Sequence, residues 1–449
     1  MRGRLVGIAS GAVGIPIAAI GYREHRRSFP TSHHPPRLSI DEVLSTPLLC
    51  TATRVYRGMR PLIFFVTPDA ELAHSGALVL GQAVNKYLAV VDKVKTLMNC
   101  LAVGLANAVV GQSSNVRAEA GLKSRLTTNV DGLEFTLPVG ISAGFDKNGK
   151  LASFFTRARN HGLLLAGHAE IGSVSYLPWL GNAKPRLFRL PQDKAIINRM
   201  GLNNDGAEVV ATRLSECGKL RRIGLNITKT PDAKIEGAEA VEDFVKSFNF
   251  MQFIDGVDWI TLNISCPNTA EGKTFEDPAA LADLLGKLTG GGQTVWLKLA
   301  PLQARSDAVA AVDGVFSVAE DFGVKTLVIA NTVPDRTLDD MKSSPALLGE
   351  RGGLSGPPIF SRSLPLVSEA FRRGFTVIGV GGVSSGQDAY RLIRAGASLI
   401  QLYTAMVYDG PAVFQDIHAG LERCLVLDGY SRLADLIGKD IPQGDVQNV

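Results

Sequence analysis

Two lysines, several asparagines and one cysteine stand where short apolar runs of this chain end, and these side chains could do chemistry. Ser142, Ala143, Gly144 and Lys147 follow one run, Gly172 and Ser173 close a second, and Asn226 a third. Asn263, Ser265 and Cys266 end a fourth, Lys298 a fifth, and Asn331 with Thr332 a sixth. The set contains no pair of carboxylates and no Ser/His/Asp relay, which argues against hydrolysis by either route. Asn both donates and accepts along a planar edge, so amides beside a lysine suit a flat heterocycle with carbonyls and ring nitrogens.

Residues so far apart in the chain need a scaffold that gathers them. Eight apolar runs cover 138 to 145, 168 to 174, 221 to 227, 257 to 265, 294 to 300, 325 to 332, 375 to 382 and 397 to 404. Each is followed by a helical stretch, the pattern of a (β/α)8 TIM barrel, whose chemistry lies at the carboxyl ends of its strands. An open doubly wound sheet would carry a G-x-G-x-x-G turn after its first strand, and none is there.

The last two runs add a phosphate site. Gly381 and Gly382 end the seventh and Tyr403 and Thr404 the eighth, each just ahead of a helix. Loops after strands seven and eight of such a barrel present backbone N–H groups at helix starts, where phosphate binds. Phosphate at that place and a heterocycle at the centre suggest flavin mononucleotide, FMN, with Lys298 set to neutralise a reduced flavin ring.

The N-terminus is of another character. From Leu5 to Tyr22 the chain carries no charge, with Arg2 and Arg4 before it and Arg23, Arg26 and Arg27 after it. The length just suffices to span a bilayer. A targeting segment that also anchors the protein, a removed signal or transit peptide, and a loose tail all fit that pattern. Residues 28 to 40, SFPTSHHPPRLSI, read as a linker. Between Asp69 and Gln112 the apolar residues Leu72, Leu78, Val84, Leu88, Val91, Val94, Met98 and Leu101 recur at helical spacing. A pair of helices packed on the main domain would explain them, as would a collar whose apolar face receives a greasy ligand or a membrane.

The division expected is a targeting or anchor segment with linker over 1 to 40, a helical collar over 41 to 125, and the barrel over 126 to 449. Across all 449 residues, 47 Lys+Arg against 43 Asp+Glu leave a net charge of +4 with no long basic run, so no nucleic-acid partner is expected. Five scattered cysteines and seven histidines offer no metal-ligand spacing, and the cysteine pattern suits a reducing compartment.

Several segments are shared with a known family. ISAGFDKNGK (141 to 150), EIGSVSYLPWLGNAKPRLFRLPQDKAIINRMGLNNDG (170 to 206), LNISCPNT (262 to 269), GGLSGPP (352 to 358), VIGVGGVSSGQDA (377 to 389) and GASLIQLYTAM (396 to 406) closely resemble dihydroorotate dehydrogenase, in the same order on the same strands. DAELAH (69 to 74) makes the chain most like the membrane-associated, quinone-reducing class, in which a helical collar forms the quinone tunnel.

The resemblance implies oxidation of dihydroorotate to orotate in pyrimidine biosynthesis, with hydride passing to FMN and electrons then to a quinone. It implies that Lys147, Asn198, Asn263, Asn268, Thr269, Asn331 and Thr332 hold the pyrimidine, with Met200, Gly201 and Leu202 in the loop between. Ala143, Gly144, Lys147, Ser173, Asn226, Asn263, Lys298, Asn331, Ser355, Gly356, Gly381, Gly382, Tyr403 and Thr404 are implied to hold the flavin, and His74 and Arg189 to line the quinone tunnel. The implied location is the mitochondrial inner membrane, or another organelle or bacterial membrane if the N-terminal segment is read differently.

Cys266 takes the position of the catalytic base, where the quinone class resembles this segment with serine and the soluble classes carry cysteine. The stretch between His74 and Lys147 is also longer than the family pattern. A soluble-type enzyme using fumarate or NAD, another flavin barrel acting on a pyrimidine, and a non-catalytic flavin-binding relative are the competing readings. The near-neutral charge argues against an RNA substrate, and the complete set of Lys147, Cys266, Lys298 and asparagines against lost catalysis.

Overall fold

The computed structural model describes residues 60, 64, 67, 69 to 109, 125 to 160, 166 to 265, 274 to 288, 292 to 300, 310 to 334 and 341 to 442. Helix α1 (Ala70–Val109) leads into a hairpin, β1 (Thr128–Val130) and β2 (Leu133–Phe135), and then β3 (Val139–Ile141). The chain continues through α2 (Ala152–Asn160), β4 (Ala169–Val174), β5 (Leu187–Leu190), β6 (Ala195–Asn198), α3 (Ala207–Ser215), β7 (Ile223–Ile227), α4 (Gly237–Met251) and β8 (Val257–Asn263). After these come α5 (Pro278–Lys287), β9 (Val295–Lys298), α6 (Ala310–Asp321), β10 (Thr326–Ile329), α7 (Pro345–Leu348), β11 (Gly353–Ser355) and α8 (Phe360–Arg372). The last elements are β12 (Thr376–Val380), α9 (Gly386–Arg394), β13 (Ala397–Leu402), α10 (Thr404–Asp409) and α11 (Val413–Leu427).

Strands β3, β4, β7, β8, β9, β10, β12 and β13 pair in that order, all in parallel, and β13 closes back on β3. These are the eight runs expected from the sequence, and the architecture is the (β/α)8 barrel. Most of their residues are apolar because helices cover the outside while side chains fill the inside.

The interior near the strand starts is a buried aromatic plug. Trp259 and Trp296 stack with centroids 4.4 Å apart, and Phe135 of the hairpin meets both Trp259 and His168 edge-on. Gly140 and Gly224 leave the room that makes this packing work: a Cβ at either would fall within about 2.5 Å of the His168 or Trp259 ring. Asp131, in the hairpin turn, accepts from Trp296 Nε1 at 2.7 Å and Thr326 Oγ1 at 2.8 Å, which bolts the hairpin across the floor. The opposite end of the barrel is left for polar side chains. Over it lies a separate antiparallel sheet of β5, β6 and β11.

The 69 to 112 periodicity is realised as one helix of 40 residues and not as two. At about 1.5 Å per residue it is on the order of 60 Å long. Its stripe is divided: Leu88 is buried and Leu78 and Val84 pack on the core, whereas Leu72 is 64% exposed. Docking to α2 is polar as well as apolar, with Asn85 Nδ2 donating to Ser153 Oγ at 2.8 Å and Arg157 donating to Asn85 Oδ1 at 2.9 Å. Among the described residues no helix is long and apolar enough to cross a membrane. The uncharged stretch from Leu5 to Tyr22 lies outside them.

Candidate active site

Where the barrel strands end, a cavity of about 320 Å³ opens between the rim, the β5–β6–β11 sheet and the first turns of α1. Ala143, Gly144, Lys147, Ser173, Asn263, Lys298, Asn331, Thr332, Gly381, Gly382, Tyr403 and Thr404 line it from the barrel. Asn198, Met200, Gly201, Leu202, Ser355 and Gly356 line it from the smaller sheet and its loops, and His74 from α1. Two expected residues are elsewhere. Asn226 is fully buried one layer below the cavity, and Arg189 is off its wall, stacked 4.1 Å from the Phe64 ring centroid and donating to the Thr67 carbonyl. Cys266, Asn268 and Thr269 lie outside the described residues.

Under the cavity runs a connected set of buried hydrogen bonds. Glu170 on β4, 1% exposed, accepts from Asn226 Nδ2 at 2.7 Å, Thr261 Oγ1 at 3.0 Å and Gln401 Nε2 at 2.9 Å. Ser173 Oγ donates to Asn226 Oδ1 and accepts from Asn263 Nδ2 at 3.0 Å. Asn263 Oδ1 in turn accepts from Ser265 Oγ at 3.2 Å, and Asn331 Nδ2 donates to Ser265 Oγ at 3.2 Å. The rim amides therefore stand in fixed orientations. Glu170, Thr261 and Gln401 escaped the sequence reading because they sit mid-strand, where nothing in the spacing separates an inward polar residue from an outward one.

The chain's own groups fit a flavin phosphate ester. Gln401 Nε2 must face Glu170, since a carboxylate only accepts, and this turns Gln401 Oε1 away with no partner among the described residues. Gln401 is 1% exposed and lines the cavity, so this buried acceptor calls for a donor from a guest. At the far end Gly382, at φ +77°, lies so close to Phe360 that a Cβ would come within 2.5 Å of its backbone nitrogen. Gly356, at φ +104°, is shut in against the Lys194 carbonyl in the same way. Thr404 Oγ1 donates to Ser355 Oγ at 2.8 Å between them, completing a narrow wall of backbone and hydroxyls.

The wall of the cavity next to the smaller sheet is shaped by the loop from Arg199 to Asn204. Gly201 and Leu202 both adopt the left-handed region, at φ +71° and +58°. Asn204 holds that turn, donating to Leu202 O at 2.7 Å and Ser175 Oγ at 2.8 Å. On the α1 side, burial and the nearby Lys147 ammonium push His74 down to about 4, while its ring packs edge-on against Phe145 at 5.0 Å. Glu71, also on the cavity wall, is held below the usual carboxylate range by Arg186, which grips it at 2.7 and 3.0 Å. Burial raises Asp146, although three backbone N–H groups from Asn148, Lys150 and Leu151 point to its carboxylate.

Comparison with known proteins agrees with this geometry. Residues 125 to 425 match the family model described as dihydroorotate dehydrogenase. A protein of Natronomonas pharaonis named dihydroorotate dehydrogenase (quinone) is 39% identical over 319 residues, covering 71% of this chain and 86% of that one. One of the same name from Halobacterium salinarum is 41% identical over 320 residues, covering 71% and 87%. The crystal structure of a dihydroorotate dehydrogenase from Eimeria tenella in complex with ferulenol superposes with a TM-score of 0.67 at 28% identity, covering 83% of this chain and 96% of that one.

The histidine on the cavity wall gives a test of its burial. Between its ordinary 6.5 and about 4, the unfolded chain binds a proton at His74 that the folded chain refuses, so stability falls as pH drops through that window. His74→Gln removes this contribution. The thermal midpoint of the variant is expected to fall less steeply than that of the unsubstituted protein between pH 6.5 and 4.5. Equal slopes would contradict the packing of His74 against Phe145.

Proposed function

The chain belongs to the dihydroorotate dehydrogenase family, and from that premise we infer that it oxidises dihydroorotate to orotate in pyrimidine biosynthesis and delivers the two electrons to a quinone. The observation that carries this reading is the convergence of Lys147, Asn198, Asn263, Lys298 and Asn331 on one cavity beneath the α1 helix. The enzyme is flavin-dependent, as its family is, and we take the flavin to be FMN. One glycine-walled pocket at Gly356, Gly381 and Gly382 supports a single phosphate, and no nicotinamide turn or iron–sulfur cysteine cluster is present in the sequence. When bound, the flavin takes up the two electrons that the pyrimidine releases.

The protein's own residues have distinct tasks in this reading. Lys298, 5% exposed at the end of β9, places a cation under the ring system and so favours negative charge there. Asn198, Asn263 and Asn331 fix the pyrimidine by donating to its carbonyls and accepting from its N–H groups. Lys147 meets its carboxylate. Cys266, the residue after Ser265, removes the proton from the ring carbon next to a carbonyl. A thiol of reference pKa near 8.5 can serve as a base beside cationic groups, whereas a serine needs a relay to lose its proton. His74 and Arg189 are assigned to the quinone side, a role that His74's position on the α1 wall supports. We assign residues 1 to 30 to attachment at the mitochondrial inner membrane, on the strength of the uncharged, arginine-flanked segment.

Three outcomes test these assignments. Denaturing the yellow protein should release FMN in one-to-one amount, and recovery of FAD would overturn the cofactor assignment. Cys266→Ala should slow bleaching of the flavin by dihydroorotate by on the order of 10²-fold or more, with substrate binding little changed. Cys266→Ser should retain a slower reaction whose optimum lies at higher pH, and near-native bleaching in Cys266→Ala would place the base at Ser265 or Thr269. Removal of residues 1 to 30 should abolish sedimentation with membranes while leaving turnover in detergent intact, and unchanged sedimentation would show that attachment lies elsewhere.

A further inference from the structure

Arg186 is a buried cation committed at every nitrogen. Its side chain is 7% exposed, and every guanidinium nitrogen has a partner. Nε and Nη2 donate to the two oxygens of Glu71, at 3.0 and 2.7 Å, the parallel fork that guanidinium and carboxylate make best. Nη1 donates to the carbonyls of Leu180, at 2.7 Å, and Asn182, at 2.9 Å. Glu71 lies in the first turn of α1, and residues 180 to 182 form a tight turn with Gly181 at φ +78°. A Cβ on Gly181 would collide with both Arg186 and the Met200 carbonyl, so the turn is clamped between them.

The clamp passes directly to the loop over the cavity. The Asn182 backbone N–H donates to Met200 O at 3.1 Å, and its side chain donates to Arg199 O at 2.9 Å. Arg199 N donates in turn to Arg186 O at 2.9 Å. Gly201 fits against Asn182 so closely that a Cβ there would come within 2.6 Å of the Asn182 amide carbon. Met200, Gly201 and Leu202 are thus fixed from below by Asn204 and from the side by Asn182, and only the second support leads to α1.

We propose that Glu71, Arg186 and Asn182 are positioning residues that tie the start of α1 to the Met200–Leu202 loop, so that the collar sets the affinity for the pyrimidine. The proposal rests on the reading that this loop borders the bound dihydroorotate. A collar serving only as an entrance for quinone would have no reason to reach the opposite wall of the cavity through a buried ion pair. The charge of Glu71 is the element that makes the link. With an amide in its place the guanidinium keeps its carbonyls but loses its counter-charge, and a buried, uncompensated cation pulls its surroundings apart. The turn at 180 to 182 and the loop it braces then lose their common anchor. By reciprocity, a guest that moves α1 changes the affinity for pyrimidine by the same factor that pyrimidine changes the affinity for that guest.

The test uses the full-length flavoprotein and orotate, titrated by calorimetry. Glu71→Gln and Asn182→Ala should each weaken orotate about fivefold or more. The double substitution should be no weaker than the weaker single, because both cut one link. The KM for dihydroorotate should rise in step while the limiting rate of flavin bleaching stays within about twofold. Glu71→Asp, which keeps the charge with a shorter reach, should fall between Glu71→Gln and the unsubstituted protein. Lys184→Gln should leave orotate affinity unchanged, since Lys184 contacts Glu71 at 3.4 Å, outside the chain of contacts to the loop. Native affinity in Glu71→Gln, or additive losses in the double substitution, would overturn the link while leaving the dehydrogenase reading in place. Failure of the unsubstituted protein to bind orotate would instead overturn that reading and the link with it.

Discussion

A carboxylate taken out of water must have its lone pairs met by donors, and in the middle of this barrel Glu170 is met from three other strands. Asn226 comes from β7, Thr261 from β8 and Gln401 from β13. Because a carboxylate can only accept, each amide that reaches it must present its NH2 group, and the oxygen of each is thereby aimed elsewhere. Asn226 Oδ1 then takes the proton of Ser173, Ser173 takes one from Asn263, and the order passes through Ser265 to Asn331. The direction of each hydrogen bond in this series, from Asn226 to Asn331, follows from the acceptor at Glu170. An apolar residue at 170 would leave the donors of Asn226, Thr261 and Gln401 buried without an acceptor and their amides without a fixed orientation.

The strands were legible in the sequence because a strand buried on both faces is an almost unbroken apolar run, and the polar residue that ends it marks the rim. That rule placed Lys147, Asn263, Lys298 and Asn331 on one cavity. It gives the height of a residue along the barrel axis coarsely, which is why Asn226, one step from the end of β7, proved to lie a layer below. It is silent on residues within a strand, where Glu170 and Gln401 sit. Helical periodicity likewise revealed the stripe of α1 without showing which part of it is covered: Leu88 is buried and Leu72 stands in solvent. The fork between Glu71 and Arg186 joins residues 115 apart, and nothing in the local pattern singles Arg186 out from the arginines around it. For Cys266, Asn268 and Thr269, outside the described residues, the resemblance of LNISCPNT to the family carries the whole argument.

The same accounting of charge gives the two sides of the cavity different characters. Among the described residues the carboxylates on its wall are Glu71 and Asp146, and both are turned to partners of their own, Arg186 in one case and the N–H groups of the 148 to 151 turn in the other. Lys147, Lys150 and Lys298 line the cavity as well, so the charge on its wall is predominantly positive, a sign that suits an anionic guest. Towards α1 the character changes. His74 is kept neutral at physiological pH by burial and by Lys147 itself, and its neighbours are Phe145 and Leu78. The Lys147 ammonium on the rim therefore also suppresses charge at His74, and with Glu71 paired to Arg186 the α1 side of the cavity carries little net charge although the rim opposite is cationic.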